Sequence, residues 1–106
     1  MSAEEAKVRY LIVHLPGPLW RAGVPFREQP GVQAHVEHYR RLESSGKLEK
    51  GGPFVEGALG GMMIPVAGLG KEELRRFAAQ DPAVKAGLLN FEVWGWYVAM
   101  ERAAGR

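Results

Sequence analysis

The residues best suited to proton chemistry in this 106-residue chain are His14, His35, His38 and Asp81. An imidazole titrates near neutral pH and acts as a general acid or base when a carboxylate fixes its tautomer. Asp81 is the best-placed carboxylate to do this for His35. Each of the two also has a plainer reading. His35 would be a core histidine bonded to a backbone carbonyl. Asp81 would be an N-cap, because Asp81-Pro82-Ala83-Val84-Lys85-Ala86-Gly87 supplies a cap, a proline at the first helical position and a terminal glycine. His35 and His38 form His-x-x-His, a spacing at which two imidazoles can share a metal. No acidic residue stands at an obvious third-ligand spacing and the chain has no Cys, so no metal is expected. The missing Cys also removes disulfides, thiolate zinc sites, Fe–S clusters and a cysteine nucleophile. Gly51-Gly52-Pro53 and Gly60-Gly61 lack a following Lys-Ser or Lys-Thr, and no GxGxxG occurs. Turns explain these glycines better than phosphate binding, and no cofactor is expected.

The elements that must hold these residues follow from periodicity. Val8–Leu15 is short, β-branched and aromatic, and reads as a buried strand ending at His14. Residues 16–31 hold four prolines and three glycines and form a long loop. Trp20 in that loop either lids a pocket or pins the loop to the core. Val32–Ser45 is a helix whose stripe runs through Val32, His35, Val36, Tyr39 and Leu42, with Gly46 as its C-terminal cap. Tyr39 is the centre of that stripe; His35 lies about 40° from it and points inward, and His38 lies about 100° away at the edge. Leu48–Gly52 and Gly60–Val66 read as strands, the second with Pro65 marking an edge or a bulge. Lys71–Gln80 is a helix ended by Asp81-Pro82, and Leu88–Ala99 is the last strand.

Strand, helix, strand, strand, helix, strand is the split βαβ order: an α+β, ferredoxin-like fold with two helices on one face of a four-stranded antiparallel sheet. Both faces of the first and last strands are apolar. Phe91, Val93 and Tyr97 alternate with Trp94 and Trp96, and Tyr10 and Ile12 with Leu11 and Val13. The uncovered face calls for a cover, most simply a second copy packed sheet to sheet in a homodimer, the alternative being a ligand cavity or a partner protein on that face. The composition, 46% hydrophobic and 25% charged, is that of one globular domain spanning 1–106 with fraying at about 1–6 and 100–106. A formal charge of +2 gives no nucleic-acid footprint, and the aromatic pattern of RNA-binding sheets is missing. The acidic start, Met-Ser-Ala-Glu-Glu, and the lack of a long apolar run point to a cytoplasmic protein without a membrane partner.

Four stretches and one histidine resemble the YCII-related (YciI-like) family of small α+β proteins. They are PGPLW (16–20) with His35 after it, GKLEKGGPF (46–54), GGMMIPVAG (60–68) and DPAVKAGLLNFEVWGW (81–96), in order over nearly all of the chain. The resemblance implies a ferredoxin-like fold, dimers related to the dimeric α/β barrels, and a cleft with a His and an Asp as an active-site pair. Those positions match His35 and Asp81. His14 and His38 match no functional position of the family; with Trp20 they remain candidates for binding a ligand. One kind of family member eliminates chloride from a chlorinated hydroxyquinol, and others are joined to transcription-related domains.

The expected function is that of a small dimeric enzyme-like protein with a cofactor-free acid–base site. His35 moves the proton, Asp81 orients it, and the reaction is elimination or isomerisation of a small cyclic or aromatic metabolite. The alternative is a non-catalytic module that binds a small ligand or regulates. A quinol-directed monooxygenase rests on fold analogy alone.

Overall fold

β1 (Val8–Pro16) is the axis of the sheet, bonded on both sides. The computed structural model describes residues 7–103. After β1 come a 3-10 turn at Phe26–Glu28, α1 (Val32–Ser44), β2 (Leu48–Pro53), β3 (Gly61–Pro65), α2 (Lys71–Ala79), α3 (Pro82–Lys85) and β4 (Leu89–Tyr97). The strand order is β2-β3-β1-β4, every pairing antiparallel. This is the ferredoxin-like α+β arrangement that the element order calls for, with α3 as the short turn that Asp81-Pro82 predicts. The last strand stops at Tyr97, two residues short of the expected end, and residues 100–103 belong to no helix or strand. The fraying expected at 1–6 and 104–106 falls outside the described residues.

Strand alternation sorts the side chains. Ile12 lies opposite Met63 and Val93, and His14 opposite Gly61 and Phe91, so these residues share the helix-facing side. There Ile12, Met63, Tyr39, Leu42, Leu74 and Ala78 form the main core. Leu11, opposite Trp94, and Val13, opposite Met62, face the other way. Among the described residues no helix lies over that face, and Trp94 and Trp96 are 50% and 40% exposed. Pro65 does not lie on an edge, because β3 is an inner strand; the irregularity falls opposite it in β2, between Leu48 and Lys50.

The long loop is fastened rather than loose. Gln29 is 2% exposed; its Oε1 accepts from Arg21 N–H (2.9 Å), and its Nε2 donates to the carbonyls of Arg21 and Val24 (both 2.8 Å). Gly17 and Leu19 donate to Leu88 and Gly87 carbonyls at 2.8 and 2.9 Å. Any side chain at Gly17 would collide with the Gly87 carbonyl, its Cβ falling 2.4 Å from that oxygen. Ala83, Leu88 and Leu89 form a second core beneath this loop, with Trp20, Phe26 and Val32 packed on it. Trp20 meets Phe26 edge-on at 5.3 Å and pins the loop.

Candidate active site

His35 enters the site from the first turn of α1 and Asp81 from the N-cap of α3. The two readings of Asp81 turn out to be compatible, one on each oxygen. Oδ1 accepts from Ala83 N–H at 2.9 Å, capping α3, while Oδ2 accepts from His35 Nδ1–H at 2.5 Å. His35 is 4% exposed and Asp81 is fully buried. Burial pushes the Asp81 carboxyl up, but the His35 hydrogen bond and charge, with the Ala83 N–H, outweigh it and hold the group below the usual carboxylate range. Asp81 is therefore a carboxylate at neutral pH, and an ionised carboxylate fixes the proton of a neutral His35 on Nδ1. The lone pair is then on Nε2. Nε2 has no partner among the described residues, yet it is not sealed off: the one fully buried side-chain nitrogen or oxygen without a partner among them is Arg9 Nε.

The open space is a cavity of about 340 Å³ between α1, the 3-10 turn and the β2–β3 edge. Its polar wall is His14, His35 and Tyr39; Phe26, Val36 and Met63 are among its apolar lining. That size is at the low end for small-molecule sites. Gly60 keeps the strand end beside it in place. Its φ is +94°, and a Cβ there would fall 2.0 Å from the His14 carbonyl oxygen, so only glycine fits.

His14 is 1% exposed and spends both ring nitrogens: Nδ1 faces the Asn90 carbonyl at 3.3 Å, and Nε2 meets Tyr39 Oη at 2.7 Å. Burial, followed by the nearby His35, lowers its pKa to about 4, so the ring is neutral at pH 7. Its plane stands at 81° to that of His35, centroids 4.9 Å apart. Burial, followed by the Asp81 charge, raises the pKa of the Tyr39 phenol, which stays protonated.

The predicted site residues thus divide. His14, His35 and Asp81 meet. His38 does not join them: its Nε2–H donates to the Phe77 carbonyl at 2.7 Å and its ring stacks on Phe77 at 4.0 Å. Trp20 sits behind Phe26, one layer from the cavity. Tyr39 was legible only as the centre of the core stripe; the clue was its hydroxyl, which a buried tyrosine must satisfy.

His14, His35 and Asp81 offer donor atoms within 4.8 Å of one another, two imidazoles and a carboxylate, the ligand types of many divalent-metal sites. Here both nitrogens of His14, Nδ1 of His35 and both oxygens of Asp81 already hold protein partners. A metal would have to break that network, leaving His35 Nε2 as the one uncommitted ligand atom. The arrangement is built for hydrogen bonds.

No family model matches the chain, and no curated protein does. Among solved structures it is similar to 5-chloro-2-hydroxyhydroquinone dehydrochlorinase (TftG) from Burkholderia phenoliruptrix AC1100, in complex with 2,5-dihydroxybenzoquinone. The TM-score is 0.57 at 21% identity, covering 82% of this chain and 92% of that one. The likeness is one of fold. It adds no residue to the site described above.

Proposed function

We propose that this chain is a small cytoplasmic acid–base enzyme of the YCII-related family, catalysing elimination or isomerisation of a small cyclic or aromatic metabolite. One observation carries the reading: Asp81 holds His35 by Nδ1, while Nε2 has no partner among the described residues and His35 lines a largely apolar cavity open to solvent. His35 Nε2 takes a proton from the substrate. The freed electron pair then expels a leaving group, or shifts a double bond and is reprotonated elsewhere from the imidazolium. Asp81 stays ionised throughout and stabilises the imidazolium that forms. The similar structure supports the direction, since TftG is named for a dehydrochlorination and was seen with a cyclic hydroxyquinone.

The test starts with 5-chloro-2-hydroxyhydroquinone, followed by chloride release, and a set of cyclic enols and hydroxyquinols followed by solvent deuterium exchange. His35→Ala should lower turnover by about 10²–10⁴-fold with the fold intact. Unchanged turnover in that variant would overturn the role of His35. A ligand that binds and is always recovered unchanged and unexchanged would favour the binding-module alternative.

The same reading includes a homodimer through the open sheet face, where Trp94 and Trp96 stand half-exposed beside Leu11. Sedimentation of Trp94→Glu should shift the protein from dimer to monomer. A wild-type monomer at high concentration would refute the dimer and leave the acid–base site untouched.

A further inference from the structure

The direction of each hydrogen bond on the cavity wall can be worked out. A carbonyl oxygen only accepts, so His14 Nδ1, facing Asn90, carries the hydrogen. His14 is neutral, so its Nε2 carries the lone pair and Tyr39 must donate its hydroxyl hydrogen to it. Tyr39 Oη therefore has no hydrogen left to give the cavity; it has a lone pair. In its neutral form His35 reaches the same state by another route, its one hydrogen committed to Asp81. The inner wall presents two acceptors side by side, with the His35 and Tyr39 rings 5.2 Å apart. A carbonyl or ether oxygen placed against them would be repelled, whereas a hydroxyl would be held.

The rim has the opposite polarity. Arg27 and Arg40 line the cavity, with Glu43 as the one carboxylate among its lining residues. Glu43 pairs loosely with Arg40 at 3.3 Å, and among the described residues no carboxylate lies within ion-pair distance of Arg27. The first turn of α1 holds no acidic residue and its cap, Gly31, has no side chain, so α1 itself supplies no negative charge at the positive end of its dipole near Val32.

We propose that the cavity selects hydroxylated organic acids, with Tyr39 Oη and His35 Nε2 accepting hydroxyl hydrogens at the inner wall and Arg27 and Arg40 holding the anionic group at the rim. Tyr39 is then a specificity residue, fixed as an acceptor by the chain from the Asn90 carbonyl through His14. The inference rests on the acid–base reading for its choice of cavity, but it is a statement about binding and can fail separately.

Three probes on one para-dioxygenated ring test it by calorimetry: 2,5-dihydroxybenzoate, 2,5-dimethoxybenzoate and hydroquinone. Wild type should bind the dihydroxy acid at least about tenfold tighter than either of the others, one lacking hydroxyl hydrogens and the other the anion. In Tyr39→Phe the preference for hydroxy over methoxy should shrink by about tenfold. Arg27→Gln with Arg40→Gln should cost the dihydroxy acid about tenfold and leave hydroquinone unchanged. Equal binding of the two acids by wild type, or no binding of any probe, overturns the proposal. Discrimination without turnover of any hydroxylated acid would sink the acid–base reading and leave this one standing; turnover without discrimination would do the reverse.

Discussion

His35 and His38 stand one turn apart on α1 and are buried almost equally, at 4% and 5% exposure. Their surroundings differ in kind. His35 gives its Nδ1 hydrogen to a carboxylate and has its other nitrogen at the cavity; His38 gives a hydrogen to a backbone carbonyl and lies flat against Phe77, away from the cavity. A carbonyl holds a ring in place but offers no full charge to an imidazolium, so it does little to favour proton uptake. His14 is a third case, buried with both nitrogens spent. Burial therefore does not separate a working histidine from a structural one. The partner, and what the second nitrogen faces, does.

Asp81→Asn attacks that difference most directly. An amide has one oxygen, which cannot accept from both Ala83 N–H and His35 Nδ1–H in the present geometry. If it keeps the cap, its NH₂ faces His35 and the ring must move its hydrogen to Nε2, turning the base into a donor. Turnover should fall by about 10²–10⁴-fold, as for His35→Ala. Stability should drop by about 1–3 kcal/mol as a neutral bond replaces the buried charge-assisted one. Proton NMR of wild type should show a far-downfield ring N–H from the 2.5 Å bond, absent in the variant. An Asp81→Asn protein that turns over normally would erase the distinction between the two histidines.

How much of this the sequence carries depends on the range of the signal. Strand and helix identities are local, written in period and in punctuation such as Asp81-Pro82, and the fold follows from their order. The inward aim of His35 is equally local, since it depends only on its angle from Tyr39. That His35 meets Asp81 is not local: the two are 46 positions apart, and their contact depends on how α3 docks against α1. His38 sits at the edge of the stripe by angle, yet α2 buries it under Phe77, which no pattern within α1 shows. Gln29 reads as an ordinary polar loop residue, and its three backbone bonds appear only once the loop has folded around it.

His14 sharpens the comparison through pH. Its folded pKa is lowered, from 6.5 to about 4, so the unfolded chain takes up a proton that the folded one refuses. The stability it supports is complete above pH 6.5 and is lost as pH falls through 4, a loss of about 3 kcal/mol. Asp81, also lowered, adds a further loss below its ordinary value of 3.8, as pH falls through its folded pKa. Urea unfolding across this range should therefore show a descent with two parts. His14→Gln, neutral throughout and able to accept from Tyr39 O–H, should flatten the first part and leave the second. A wild-type stability that does not change between pH 6.5 and 4 would mean that His14 is protonated in the fold, and the bond directions on the cavity wall would have to be redrawn.

The smallest effect belongs to His38, and it is the control on which the comparison depends. His38→Gln keeps a donor for the Phe77 carbonyl but loses the ring stacked at 4.0 Å, so a stability loss of about 1 kcal/mol is expected. Turnover and probe binding should stay within twofold of wild type, because His38 touches neither Asp81 nor the cavity. Urea midpoints and initial rates measured on one preparation separate the two effects. A His38→Gln protein as inactive as His35→Ala, with its midpoint barely moved, would show that the site extends across α1, and the face turned toward Phe77 would have to be included in it.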